Sequence, residues 1–236
     1  MIGTLINVGT VIAGTAIGTT VGARLPERIR QRVLAGLGMI TLAIGLDLAL
    51  TWGGKDTSQS TPLYVLAGVL LGGILGEAIG IERRLEALGD RIQARLAGAS
   101  GHSTVSEGFV TASLLFCVGS LTVVGSIQDG LTGDYETLAT KAVLDGFASI
   151  ALAATLGWGV GLAAITVLVV QGGITLAAGL FEDVLVGESL AVLTSAGGVT
   201  IIGIALKLLD IKDVKVGNFL PALVIAPALV GLVSLL

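Results

Sequence analysis

Cysteine, histidine and aromatic residues are scarce in this sequence. It contains one cysteine, one histidine and 4% aromatic residues. Cys117 alone cannot form a disulfide framework or a thiolate metal site, and His102 alone cannot form a histidine metal site. The motifs of serine hydrolases, zinc metalloproteases and P-loop nucleotide-binding proteins are missing as well. We therefore expect neither an enzyme nor a bound cofactor or metal.

Charge is also rare. Charged residues make up 13% of the chain, and the net charge of -4 leaves no basic face for a nucleic acid. By contrast, 53% of the residues are hydrophobic, 36 are glycine and the mean hydropathy is +0.97. This composition is typical of polytopic membrane proteins and not of soluble domains. It predicts an all-α protein of the bacterial cytoplasmic (inner) membrane, with the lipid bilayer as its surroundings.

Eight apolar segments approach the roughly 20 residues that a membrane-spanning helix requires. They are residues 2–22, 33–51, 62–81, 108–128, 138–156, 161–181, 189–209 and 218–236. Arginines cluster after the first and third segments, and lysines cluster after the seventh. Because cytoplasmic loops carry the excess of basic residues, both termini are predicted to lie outside.

The first and last thirds of the chain resemble each other. Residues 6–72 align with residues 165–231 without a gap, and the matches include Thr41 with Thr200 and Pro62 with Pro221. The two three-helix units start five helices apart, so they must cross the membrane in opposite senses. This predicts an inverted repeat, helices 1–3 and helices 6–8, around the two central helices of residues 108–156. Inverted repeats are a recurring way to build a transport site near the middle of the membrane.

The linker after the third segment has apolar residues at the spacing of an α-helix. Within residues 82–97, leucine and isoleucine recur at helical spacing with arginines between them. This pattern predicts an amphipathic cytoplasmic helix. It would either contact lipid headgroups or act as a connector lying on the bilayer.

Glycines spaced by four residues form two small-residue ridges. The ridge residues are Gly14, Gly18 and Gly22, and Gly68, Gly72, Gly76 and Gly80. Such ridges let helix backbones approach closely in lipid. They serve either packing within the chain or a homo-oligomer interface, for which a dimer is the favoured state.

Charged residues inside the fifth segment define the candidate site. Lys141 and Asp145 are four residues apart, so they share one helix face and can form an ion pair. Buried charges in membranes usually face the bundle interior or a water-filled cavity. The predicted solute or ion path consists of Ser126, Gln128, Asp129, Lys141, Asp145 and Gln171.

Two interpretations of these residues stay open. The ion pair either fixes two helices permanently or lines a path, and the excess of acidic side chains around one lysine favours a cation, a proton or a zwitterion over an anion. Gln171 lies in mid-membrane beside paired glycines and is either a second contributor to the path or an interhelical hydrogen-bond partner. Asn7 is expected to cap a helix or bond to a neighbouring helix.

Three sequence stretches resemble an uncharacterised bacterial membrane family. They are the opening GTLIN, the central GSIQDGL with Lys141 and Asp145 downstream, and the closing GNFLPALVIAPAL. The family is the domain of unknown function five hundred and fifty-four, of the YdfK and YqgA type, and the resemblance extends over the whole chain. It implies a small multi-pass inner-membrane protein and supplies neither a substrate nor catalytic residues.

The sequence favours a transport protein for a small solute or ion, as either a carrier or a channel. The alternative is a non-transporting membrane scaffold that docks partner helices on its glycine ridges. A transport protein should show a hydrated cavity that reaches the charged residues. A scaffold should show these residues closed upon each other.

Overall fold

The chain forms helices throughout the part that the structure describes. The computed structural model describes residues 1–24, 26–54, 57–84, 87, 104–117, 120–181 and 186–233, and these residues contain no strand. The predicted amphipathic helix, residues 82–97, lies mostly outside the described residues. The helices are α1 Ile2–Gly22, α2 Glu27–Ala49, α3 Thr61–Ile79, α4 Thr104–Cys117, α5 Ser120–Leu131, α6 Glu136–Leu156, α7 Ala163–Leu176, α8 Ala178–Phe181, α9 Gly187–Leu208 and α10 Ala222–Val233. The all-α prediction is thus confirmed for these residues.

By length and composition, six stretches of the described residues could each cross a membrane. A bent pair of helices, Val105–Cys117 and Leu121–Leu131, raises this number to seven if it is one span. The axes of the pair are inclined by 62°, so the predicted segment 108–128 is not one straight helix. The predicted segments 138–156 and 161–181 fall largely within one 41-residue stretch, Glu136–Leu176, which counts once.

This long stretch reverses direction in the middle. A 3-10 turn, Gly157–Leu162, separates α6 from α7, and Gly157 adopts a φ of 81°. Asp145 and Gln171 both accept hydrogen bonds from Asn7. In a straight helix these two residues would be about 39 Å apart at 1.5 Å per residue. The turn therefore folds α7 back, and α6 and α7 both pack against α1.

The chain divides into two compact units. The first contains α1, α4, α6 and α7, with α5 from Leu121 onward. In this unit α1 lies parallel to α6, with Gly3 beside Leu138 at one end and Gly22 beside Ala154 at the other. Gly14 and Gly18 lie between these ends and touch the α6 backbone. The first glycine ridge is therefore used for packing inside the unit.

The second unit contains α3, α9, α10 and the part of α2 from Gly38 onward. Here α3 runs antiparallel to α10, with Gly68 against Ala226 and Gly72 against Ala222. Gly76 continues this contact to the backbone of the residues just before α10. Gly80 does not pack like the others in its ridge: it ends α3 with a φ of 71°, a left-handed conformation that glycine adopts at low cost.

Because α1 packs closely on α6, replacing two different glycines of α1 by alanine should change the stability in opposite ways. A methyl group on Gly18 would overlap the carbonyl oxygen of Ile150, whereas nothing lies within 4 Å of one on Gly9. We expect Gly18→Ala to lower the free energy of unfolding by about 1–3 kcal/mol, as overpacking does. Gly9→Ala should be neutral or stabilise the helix by up to about 1 kcal/mol. Denaturant titration in mixed micelles measures both, and equal stability of the two variants would contradict the packing.

Candidate functional site

A buried polar network joins three helices of the first unit. The Asn7 Nδ2 group donates one hydrogen bond of 2.9 Å to Oδ2 of Asp145 and another of 2.9 Å to Oε1 of Gln171. Asn7 and Gln171 are fully buried, and Asp145 is only 7% exposed. The asparagine of α1 thus connects a carboxylate on α6 with an amide on α7.

The predicted ion pair lies at the centre of this network. The ammonium of Lys141 contacts the same Oδ2 of Asp145 that Asn7 contacts, and Lys141 is 5% exposed. A charge buried away from water costs several kcal/mol unless a partner compensates it. Each member of the pair therefore makes the burial of the other possible.

Several buried polar atoms in the same unit have no partner. Among the described residues, no hydrogen bond reaches Oδ1 of Asn7, Oγ of Ser126 or Oγ of Ser149. Gln171 completes its own bonding by donating from Nε2 to Oγ1 of Thr4 at 3.3 Å. Unpartnered buried polar groups are rare in proteins and call for an explanation, such as a bound water or ion.

Two of the other predicted path residues have different partners. Asp129 lies 2.7 Å from the α-amino group of Met1, and Oε1 of Gln128 accepts a 2.8 Å bond from Oγ1 of Thr137. Neither bonds to Lys141, Asp145 or Gln171 in the part of the chain that is described. The structure thus joins Lys141 to Asp145 directly and Gln171 to Asp145 through Asn7, whereas Asp129 and Gln128 of α5 have separate contacts.

The C-terminal end of α4 lies at the level of the polar network. α4 packs against α6 and α7 and runs parallel to α7, with Val105 beside Gly159 and Oγ of Ser113 bonded to Oγ1 of Thr166 at 2.9 Å. Cys117, the last residue of α4, is therefore about level with Gln171. The last four carbonyls of a helix have no partner within it, and one of these, on Phe116, accepts a bond from Thr122 beyond the break. Helix carbonyl ends therefore lie at about the level of the polar network.

Asn7 and Thr4 are members of the network that the predicted path does not include. On α1 the buried residues include Thr4, Asn7, Val11, Gly14 and Gly18, spaced alternately by three and four. The glycine ridge therefore continues toward the N-terminus as a stripe that passes through both polar residues. This period was the signal that could have assigned Asn7 to the packed face of α1.

A second polar cluster lies in the second unit, where α3 ends. Buried Asn218 donates from Nδ2 to Glu77 at 2.5 Å and accepts from the backbone N–H of Glu82 at 2.8 Å. The carboxylate of Glu82 in turn accepts a 2.6 Å bond from the Gly217 N–H. Asn218 thus forms hydrogen bonds with both Glu77 and the backbone of Glu82.

The helices and the buried network define the class of this molecule, a multi-pass membrane protein. The family model described as "Protein of unknown function (DUF554)" matches residues 2–231, and the chain belongs to this family. No solved structure matches the chain.

Two curated relatives match almost from end to end. The "Uncharacterized membrane protein YdfK" of Bacillus subtilis (strain 168) is 33% identical over 230 residues, which cover 98% of this chain and 96% of the relative. The "Uncharacterized protein YqgA" of Escherichia coli (strain K12) is 30% identical over 229 residues, which cover 96% of this chain and 94% of the relative. Both similarities agree with the resemblance noted in the sequence.

Mutual compensation in the ion pair predicts a non-additive stability effect. Lys141→Met leaves the charge of Asp145 buried and should lower the free energy of unfolding by about 3–5 kcal/mol. The double variant Lys141→Met/Asp145→Asn removes both charges and should regain most of this loss. Denaturant unfolding of both variants in choline chloride measures the difference.

The matched control is Lys207→Met. Lys207 lies 3.5 Å from Asp213, whose side chain is 75% exposed, and such surface pairs are worth at most about 1 kcal/mol. If the single and double variants at the buried pair lose the same stability, the two charges do not compensate each other.

Proposed function

We propose that the protein transports a small solute or ion across the cytoplasmic membrane. The observation that carries this proposal is the buried network of Lys141, Asp145, Asn7 and Gln171 between the helices of the first unit. Ionisable residues within membrane-spanning helices are costly, and they commonly mark substrate pathways and proton relays.

Helix packing supports an inverted repeat of eight spans, with the α6–α7 stretch counted as two and the bent pair as one. Within the second unit, Gly68 packs on Ala226, which is the repeat counterpart of Ala67. Gly45 of α2 likewise packs on Ile202 of α9, two residues from its own counterpart. A two-fold axis in the membrane plane brings counterpart helices together in this antiparallel way.

The first unit adds a third pair of counterpart helices. Thr4 meets Gln171 and Thr15 lies against Gly161, so α1 and α7 cross near Val8 and Val167. These two valines correspond in the repeat. Each of the three pairs is antiparallel and is centred on corresponding residues, as the inverted repeat requires.

A scaffold is the second candidate, because the network is closed. Its polar groups contact each other and are at most 7% exposed, which is the arrangement expected of a scaffold. The same arrangement is the occluded state of a transport protein. The glycine ridges, on which a scaffold would dock its partners, are used largely within the chain, so a homo-oligomer would need other surfaces.

The proposed topology places both termini outside. In a Cys117→Ser background, a cysteine at Thr132, between α5 and α6, should react with a membrane-impermeant maleimide added to intact spheroplasts. A cysteine at Arg28 should react only after permeabilisation, because the arginine-rich loop belongs in the cytoplasm. Both native residues are exposed. The reverse labelling pattern would contradict the topology.

Transport itself is tested with purified protein in liposomes. Monovalent cations, protons, halides and small carboxylates are screened, and we expect selective flux of one class. Asp145→Asn should reduce this flux at least about tenfold, because the neutral amide loses the charge at the centre of the network. Asp213→Asn, at an exposed carboxylate, is the control and should transport normally. Absence of flux for every solute with folded protein would favour the scaffold.

A further inference from the structure

We propose that the Lys141–Asp145 pair is the cation-free state of a binding site for a monovalent alkali cation. In this state the Lys141 ammonium occupies the position that the cation takes when it binds. This inference rests on the proposed function, since it names the substrate class of the same site. It joins three observations on the first unit: unused oxygen atoms, the end of α4 and the balance of charge.

The site has oxygen atoms that no hydrogen bond uses. Lys141 and Asn7 both contact Oδ2 of Asp145, and within the described residues no hydrogen bond reaches its Oδ1. Oδ1 of Asn7, which is fully buried, also has no hydrogen-bond partner in the described part of the chain. Hard cations bind carboxylate and amide oxygens of this kind.

The end of α4 determines the sign of the ligand. α4 packs against α6 and α7 and ends at Cys117, about level with Gln171, and the last carbonyls of a helix carry partial negative charge. Broken helices in transporters use such carbonyl ends to coordinate cations. An anion at this place would face both these carbonyls and the Asp145 carboxylate.

Charge balance determines the valence. Among the described residues, Asp145 is the one carboxylate that bonds to Lys141 or Asn7, and Asp129 is paired with the amino group of Met1 instead. One positive charge compensates Asp145, and a second would be left uncompensated in the interior of the unit. The Lys141 ammonium and a monovalent cation therefore compete for Asp145, and the displaced ammonium must reach water or release its proton.

Competition predicts that removal of the lysine strengthens cation binding. Binding of radioactive sodium and thermal unfolding are measured on purified protein in detergent, with NaCl, KCl or LiCl against choline chloride at equal ionic strength. Lys141→Met should bind at least one of these cations about tenfold or more tightly than the wild type, and its melting temperature should rise with that cation. Asp145→Asn should not bind, and Lys207→Met should behave as the wild type.

The results separate this inference from the proposed function. If Lys141→Met folds and binds none of these cations more tightly than the wild type does, the proposed site is wrong. This holds even if the liposomes show flux of another solute. Tight cation binding by Lys141→Met without any flux keeps the site and overturns transport. If Lys141→Met cannot be purified in any of these salts, cation binding by the wild-type protein tests the site. Saturable cation binding that Asn7→Ala weakens and Asp145→Asn abolishes supports the site, and no saturable binding overturns it.

Discussion

The buried charge of Asp145 is the constraint on which the first unit depends. A carboxylate at this depth must be compensated, and it is compensated from two helices, by the ammonium of Lys141 on α6 and by the amide of Asn7 on α1. Asn7 also bonds to Gln171, so α7 has to fold back on α6 and return to the same level of the unit. The positions of three helices thus follow from the need to satisfy one acid.

Close helix packing makes these short-range contacts possible. Asparagine has a short side chain, and Asn7 reaches Asp145 only because the backbones of α1 and α6 nearly touch. Gly14 and Gly18 permit this approach, since a methyl group on either would overlap the α6 backbone. The glycines and Asn7 lie on one buried face of α1, so packing and polar contact are two functions of the same stripe.

Composition and local spacing predicted the parts of this structure that depend on short-range rules. The apolar segments predicted helices, and four-residue spacing placed Lys141 and Asp145 on one face, where they form the pair. The partner of Asn7 could not be derived in this way, because it lies 138 residues further along the chain and depends on how the helices are arranged. The contact between Asp129 and the amino group of Met1 escaped prediction for the same reason.

The span count shows another limit of local rules. Hydropathy averages over a window, so it does not report the 62° bend after Cys117. By contrast, the sequence did separate the segments 138–156 and 161–181, and the contacts of Asn7 with both helices agree with a reversal of the chain between them. The information missing for the bend is the direction of the helix axis, which side-chain polarity does not encode.

Under the transport proposal, the two sides of the ion pair differ in how easily they can open. On the α1 side, separation from α6 would break backbone-to-backbone packing along Gly14, Gly18 and Gly22 and would also leave Asn7 without its acceptor. α4 and α5 are two helices inclined by 62°, so one could tilt relative to the other without bending a straight helix. Under the transport proposal we therefore expect α4 and α5 to move and α1 and α6 to stay together.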